Sequence, residues 1–229
     1  MPREVARPRQ VRTAGGAASS AGACDLLSFE RAACEAGALR IAGLDEAGRG
    51  PLAGPVVAAA VVMPAGLLVP GVTDSKQLTE VRRELLYDEI IASALAYGIG
   101  TVDERTIDEV NIREASIMAM ERALEAITPP PDHLLIDGNF TLPRVLISQQ
   151  PIIRGDCLSH SIAAASILAK VTRDRLMREL HDRYPQYNFK KHKGYGTKEH
   201  IDLLRLHGPC TAHRRTFQPI ADMLRAEAR

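Results

Sequence analysis

The chain has no tryptophan, and its aromatic residues make up only 4% of 229 residues. Val, Ile, Leu and Ala must therefore build the core that a 45% hydrophobic composition provides. Four cysteines, Cys24, Cys34, Cys157 and Cys210, form no CxxC pair. That spacing argues against a zinc site and a disulfide framework, and it fits reduced thiols in a cytoplasmic protein. No apolar stretch opens the chain, so no secretory signal is expected. The uncharged run over residues 51–73 has the length of a membrane span. Pro51, Pro55, Pro64 and Pro70 would break such a helix repeatedly, so a buried strand followed by a Pro/Gly loop is expected there, with no membrane contact. No GxxxxGK[ST] run is present. Gly48-Arg49-Gly50-Pro51-Leu52-Ala53-Gly54 has neither the GxGxxG spacing nor a following helix, which excludes the common mononucleotide-binding loops.

The net charge of +1 says nothing about partners, but its distribution does. Residues 178–215 carry nine Lys/Arg against four Asp/Glu, together with five of the seven histidines. Residues 1–23 hold Arg3, Arg7, Arg9 and Arg12 against Glu4. Such clusters suit a polyanion binder, or simply two solvated surfaces. Residues 1–24 read as a disordered basic tail. Residues 25–229 read as one domain with a helical part from about 184. Within it, short helices are expected near residues 27–36, 197–207 and 217–228. Apolar runs predict strands over 39–46, 56–63, 99–102 and 133–136, with extended segments at 145–147 and 152–153. Longer helices are expected over 79–97 with Gly98 as the stop, over 107–127, and over 159–181. The alternation predicts an α/β architecture, and the short link between the first two strands predicts a partly antiparallel sheet.

Three strand-end sites carry carboxylates: Asp45-Glu46 after one apolar run, Asp137 after Leu134-Leu135-Ile136, and Asp156 just ahead of a long helix. Each alone is an ordinary turn or cap. Ligands in α/β sheets gather at strand ends, so the three together suggest one pocket. Four oxygen donors without His/Cys spacing suit Mg²⁺ or Mn²⁺ rather than Zn²⁺. Two such ions about 4 Å apart could clamp a phosphodiester. Neighbouring strand residues point to opposite faces, so Asp45 and Glu46 can share a site only if the strand ends or twists there.

The Gly48, Arg49 and Gly50 segment allows close backbone approach to a phosphate or a ribose 2′-hydroxyl, or it is a plain tight turn. Ser75 and Lys76 read equally as phosphate ligands or as helix entry. Tyr184, Tyr187, Phe189 and Tyr195 interleave with Lys190, Lys191 and Lys193. Cations beside flat rings suit phosphate contact and base or sugar stacking. On residues alone, a non-catalytic nucleic-acid binder and a DNA nuclease remain alternatives.

The run Asp45-Glu46-Ala47-Gly48-Arg49-Gly50-Pro51-Leu52-Ala53-Gly54-Pro55-Val56 resembles the opening motif of type 2 ribonuclease H, ribonuclease HII. Asp74-Ser75-Lys76, Ile136-Asp137-Gly138-Asn139 and Gly155-Asp156 match in order, as does the run from Ile162 to Asp174. His192-Lys193-Gly194-Tyr195-Gly196-Thr197 and His213-Arg214-Arg215 complete the likeness. The resemblance implies a ribonuclease H-like mixed sheet flanked by helices, with a C-terminal helical extension. It implies a monomer that cuts the RNA strand of RNA–DNA hybrids and 5′ of ribonucleotides in duplex DNA, leaving 5′-phosphate and 3′-hydroxyl ends. Asp45, Glu46, Asp137 and Asp156 would hold two Mn²⁺ or Mg²⁺ ions. Gly48, Arg49 and Gly50 would read the 2′-hydroxyl, and Tyr195 would stack on the deoxyribose beyond the junction. Cys157 and His160 depart from what the resemblance requires.

Overall fold

A computed structural model describes residues 25–227. The basic tail expected over residues 1–24 lies outside the described residues. In chain order the elements are α1 (Ser28–Glu35), β1 (Ile41–Ala47), β2 (Val56–Val62), α2 (Glu80–Ser93), β3 (Ala96–Val102), α3 (Glu104–Val110), α4 (Ile112–Glu125), β4 (His133–Asp137) and β5 (Ser148–Ile152). After them come α5 (His160–Arg183), α6 (Phe189–His192), α7 (Lys198–His207) and α8 (Ile220–Glu227). The five strands form one mixed sheet in the order β3-β2-β1-β4-β5. β2 runs antiparallel to β1 and β3, whereas β4 runs parallel to β1 and β5.

β2 is buried along its whole length because helices cover both faces. Its alternate residues divide between them: Ala58, Ala60 and Val62 pack with α4, and Ala59 and Val61 pack with α2 and α5. Small side chains at the centre of the sheet let the helices come close. The same closeness explains Gly98 and Gly100 in β3. A Cβ on either would fall 2.0 Å from a carbonyl oxygen of α4, that of Ala123 or Ala119.

This corrects the expected helix over 79–97. Thr79 does cap α2, but the helix ends at Ser93, Tyr97 belongs to β3, and Gly98 is a helix-contact glycine rather than a stop. The single helix expected over 107–127 is two. The chain breaks at Asn111, whose φ is +72° and whose side chain accepts from the Arg113 and Glu114 amides to start α4. The extended segments expected at 145–147 and 152–153 are not strands, apart from Ile152; the strand is β5 between them, a polar edge strand, Ser-Gln-Gln-Pro-Ile. Its Gln149 side chain bonds the backbone of Leu142 and Val145, an anchor that hydrophobic periodicity does not register.

Beyond Arg183 the chain builds a helical lobe. Tyr187, Phe189, Leu204 and Ile220 pack there against Met177 of α5 and against Leu52 and Ala53 of the loop between β1 and β2. The lobe therefore sits directly on that loop.

Candidate active site

β1 and β4 lie side by side. Ala42, Leu44, Leu134 and Ile136 face α4, so the intervening residues face α5. The register pairs Leu44 with Ile136, and the next step places Asp45 beside Asp137 on the α5 face. Neighbouring strands are about 4.8 Å apart. Gly43 makes this possible. Its α-carbon is pressed against α5 so closely that a Cβ would sit 2.1 Å from the Ser161 carbonyl carbon. From α5, Ser166 lines the same cleft as Asp45, and its hydroxyl lies 2.9 Å from the Ser75 hydroxyl.

Glu46 should point away from Asp45 by strand alternation. The strand ends one residue later, where Gly48 takes φ +99°, and Glu46 lines the same cleft as Asp45 and Asp137. Asp156 sits in a 3-10 turn after β5, ahead of α5. The Gly155 amide donates to Asp137 Oδ1 at 2.7 Å, and Lys76 Nζ donates to Asp156 Oδ2 at 3.0 Å. Asp156 thus borders the cleft through Asp137 and Lys76.

Burial, and then the charges of Glu46 and Asp137, push Asp45 well above the usual carboxylate range. Burial raises Glu46 as well, although Arg49 lies 3.1 Å away and opposes the rise. Asp137 is raised by burial and by the neighbouring charge of Asp156. Glu46 Oε2 is buried with no hydrogen-bond partner. A cleft of crowded, mutually repelling carboxylates with an unsatisfied buried oxygen fits divalent cations, and its oxygen donors fit hard ones. Asp74 and Cys157 add donor atoms within 4.8 Å of one on Asp156. Burial and Asp156 push the Cys157 thiol up.

A cavity of about 270 Å³ joins Asp45, Glu46 and Asp137 to Gly48, Arg49, Gly50, Ser75, Lys76 and Tyr195; Asp156 is not among its lining residues. The Tyr195 ring is 47% exposed, and a Cβ on Gly50 would lie 3.8 Å from it. Lys193 is not among the lining residues. Its ammonium turns to Glu80 at 3.6 Å, while its backbone carbonyl accepts from Arg173.

The model of the family described as Ribonuclease HII matches residues 42–220. The chain belongs to the ribonuclease HII family. Members of this family are endonucleolytic hydrolases, and the mixed sheet with flanking helices is the family's ribonuclease H-like fold. The chain is 54% identical over 202 residues to ribonuclease HII of Geobacillus kaustophilus, covering 88% of this chain and 77% of that protein. The crystal structure of ribonuclease H2 from Pyrococcus horikoshii OT3 superposes with a TM-score of 0.71 at 26% identity, covering 83% of this chain and all of that one. The ribonuclease HII of Archaeoglobus fulgidus, solved in a complex with PCNA, gives 0.65 at 26% identity, covering 79% and 96%. Among the described residues, no helix is long and apolar enough to cross a membrane.

The residue-by-residue reading gave no role to Ser166, Lys170 and Arg173, which also line the cleft. Their spacing of four and then three residues is the signal: it places all three on one face of α5. Arg214 went unassigned too, although it is fully buried.

Proposed function

We propose that the chain cuts the RNA strand of RNA–DNA hybrids and cleaves 5′ of ribonucleotides embedded in duplex DNA, giving 5′-phosphate and 3′-hydroxyl ends. One observation carries the reading. Asp45, Glu46 and Asp137 line a single cleft, bordered by Asp156, whose rim consists of backbone, cationic and aromatic groups. Asp45, Glu46, Asp137 and Asp156 would hold two Mg²⁺ or Mn²⁺ ions. When bound, such ions supply Lewis acidity to the phosphodiester and lower the pKa of an attacking water.

The remaining work belongs to the side chains and loops. Gly155 orients Asp137, and Lys76 holds Asp156 on the cleft side of its turn. Arg49 opposes the rise that burial imposes on Glu46. Gly48, Arg49 and Gly50 would bring their backbone against the ribose, where the 2′-hydroxyl separates RNA from DNA. Tyr195 would stack on the sugar beyond the junction. Ser75, Lys76 and Lys193 would serve the phosphates, Lys193 after release from Glu80. The enzyme would act as a cytoplasmic monomer.

The test is end-mapping on a duplex with one embedded ribonucleotide, with an all-DNA duplex alongside. The expected product is a single metal-dependent cut 5′ of the ribonucleotide. Equal cutting of both duplexes would make it a general nuclease, and salt-sensitive binding without scission would make it a binder.

A further inference from the structure

We infer that Arg214, seconded by Arg173, is a positioning residue that aims the peptide groups of the Gly48–Gly50 loop at the substrate and so sets junction preference. The inference rests on reading that loop and Tyr195 as substrate-facing.

Arg214 and Arg173 are the two largest fully buried side chains described, at 0% and 1% exposure. Among the described residues, neither lies within ion-pair distance of a carboxylate. Both donate to backbone carbonyls instead. Arg214 Nη2 donates to Gly48 O at 2.6 Å and Nη1 to Arg49 O at 2.9 Å. Its Nε and Nη2 donate to Gly54 O at 3.0 and 2.8 Å. Arg173 serves Pro55 O, Ala53 O and Lys193 O at 3.1, 3.2 and 3.1 Å. Burying a guanidinium is costly, and an apolar residue would fill the lobe at lower cost. What an apolar residue cannot do is fix three carbonyls of one loop in a plane, as a rigid fork of donors can.

The geometry gives that fixation a consequence. In a trans peptide the carbonyl of one residue and the amide of the next point to opposite sides. With Gly48 O and Arg49 O drawn inward to Arg214, the Arg49 and Gly50 amides must point outward. Among the described residues neither amide makes a backbone hydrogen bond, and both residues line the cleft. These amides are therefore presented as donors for a ribose oxygen or a phosphate. Gly48 takes φ +99° and Gly54 +85°, and at Gly48 a Cβ would lie 2.1 Å from Arg173 Nε. Strand-like bonds tie the same segment to the Tyr195 turn and to the lobe: Leu52 N to Gly194 O at 2.8 Å, and Arg214 N to Leu52 O at 2.9 Å. One clamp thus sets both reading elements in a common frame while touching none of the four carboxylates.

The experiment measures kcat and KM on two substrates under one metal concentration: a duplex with a single ribonucleotide and a continuous RNA–DNA hybrid. Arg214→Lys keeps a charge but loses the fork. Its junction-to-hybrid ratio should fall on the order of tenfold to a hundredfold, since a small misplacement far from the chemistry has effects of that size. Arg214→Ala should fall at least as far and recover junction preference in low-millimolar guanidinium, a rescue that a general packing defect would not show. A wild-type ratio in a folded Arg214→Lys overturns the inference. So does failure of both variants to fold, which would make Arg214 a fold residue only. Tyr195→Ala separates the layers. A lowered ratio in it with an unchanged one in Arg214→Lys sinks the positioning role alone; unchanged ratios in both sink the underlying reading.

Discussion

The cleft has two halves that are held in place by different physics. The carboxylate half rides on the sheet. Asp45 and Asp137 are adjacent because β1 and β4 are parallel neighbours in a fixed register, and α5 presses on Gly43 beneath them. The reading half, Gly48 to Gly50 and Tyr195, is held by buried polar groups of the C-terminal lobe. Arg214 and Arg173 grip carbonyls there, and two histidines, His213 and His200, pass hydrogen bonds to the Tyr195 carbonyl. Apolar packing is indifferent to pH and to protonation, whereas a buried polar network is not. Perturbations of the two halves should therefore be separable: one should switch off cutting of every substrate, the other should blur which substrate is preferred.

The largest expected effect comes from the carboxylate half. Asp45→Asn should reduce metal-dependent cleavage of both hybrid and single-ribonucleotide duplexes at least about a thousandfold, because even one well-aimed donor in an active site is worth 10²–10³. The same change removes a buried charge that Glu46 and Asp137 repel. The melting temperature should hold steady or rise. Turnover near wild type, or a large drop in stability, would remove Asp45 from the centre of the site.

Much of this half was legible from the sequence. An apolar run ending in carboxylates marks a strand that stops at a cleft, and three such ends pointed to one pocket. The pairing of Asp45 with Asp137 was not legible, because register depends on contacts between residues about ninety apart. The reading half was harder. β5 is a polar edge strand with no periodicity to find. Gly98 looked like a helix stop because a glycine that admits a helix and a glycine that ends one are the same letter. Arg214 sits in a run of charge that reads as solvated surface, yet it is fully buried. Polar residues in a core are visible only once their partners are known.

Gly43→Ala should damage the frame itself. The added Cβ would meet backbone rather than a movable side chain, 2.1 Å from the Ser161 carbonyl carbon. Overpacking of this kind costs about 3 kcal/mol where neighbours cannot yield, measured as a lower urea midpoint. Because β1 and α5 are pushed apart, cleavage of both substrates should fall together with their ratio kept. A changed ratio with unchanged stability would blur the division between the halves.

Acidification probes the other half. The Cys210 amide donates to His213 Nδ1, His213 Nε2 donates to His200 Nε2, and His200 Nδ1 donates to the Tyr195 carbonyl, an assignment of protons that leaves each ring neutral and matched. Adding a proton to either ring destroys an acceptor. Burial accordingly pushes both His200 and His213 down to about 4, and His192, stacked on His200, is lowered as well. The unfolded chain takes up these protons near pH 6.5, the folded lobe only near 4. The stability these rings contribute is therefore complete above about pH 6.5 and is lost as pH falls toward 4, about 3 kcal/mol for either ring taken alone. Urea unfolding at stepped pH checks it, and His213→Gln should flatten the slope. A flat profile in the wild type would mean that the rings are charged in the fold.

The smallest and most selective effect belongs to Tyr195. Its ring is 47% exposed and its hydroxyl bonds no protein group among those described, so little of the fold depends on it. Removing a stacking ring should weaken recognition by about 1 to 2 kcal/mol, roughly a five- to thirtyfold loss of junction preference. Tyr195→Phe keeps the flat face and should keep the preference, while Tyr195→Ala loses it with an unchanged melting temperature. Hybrid cleavage should change less than junction cleavage, because a continuous RNA strand offers no deoxyribose beyond the cut. Equal losses on both substrates would place the ring with the catalytic half, and the separation drawn between sheet and lobe would fail at the residue where it is cheapest to test.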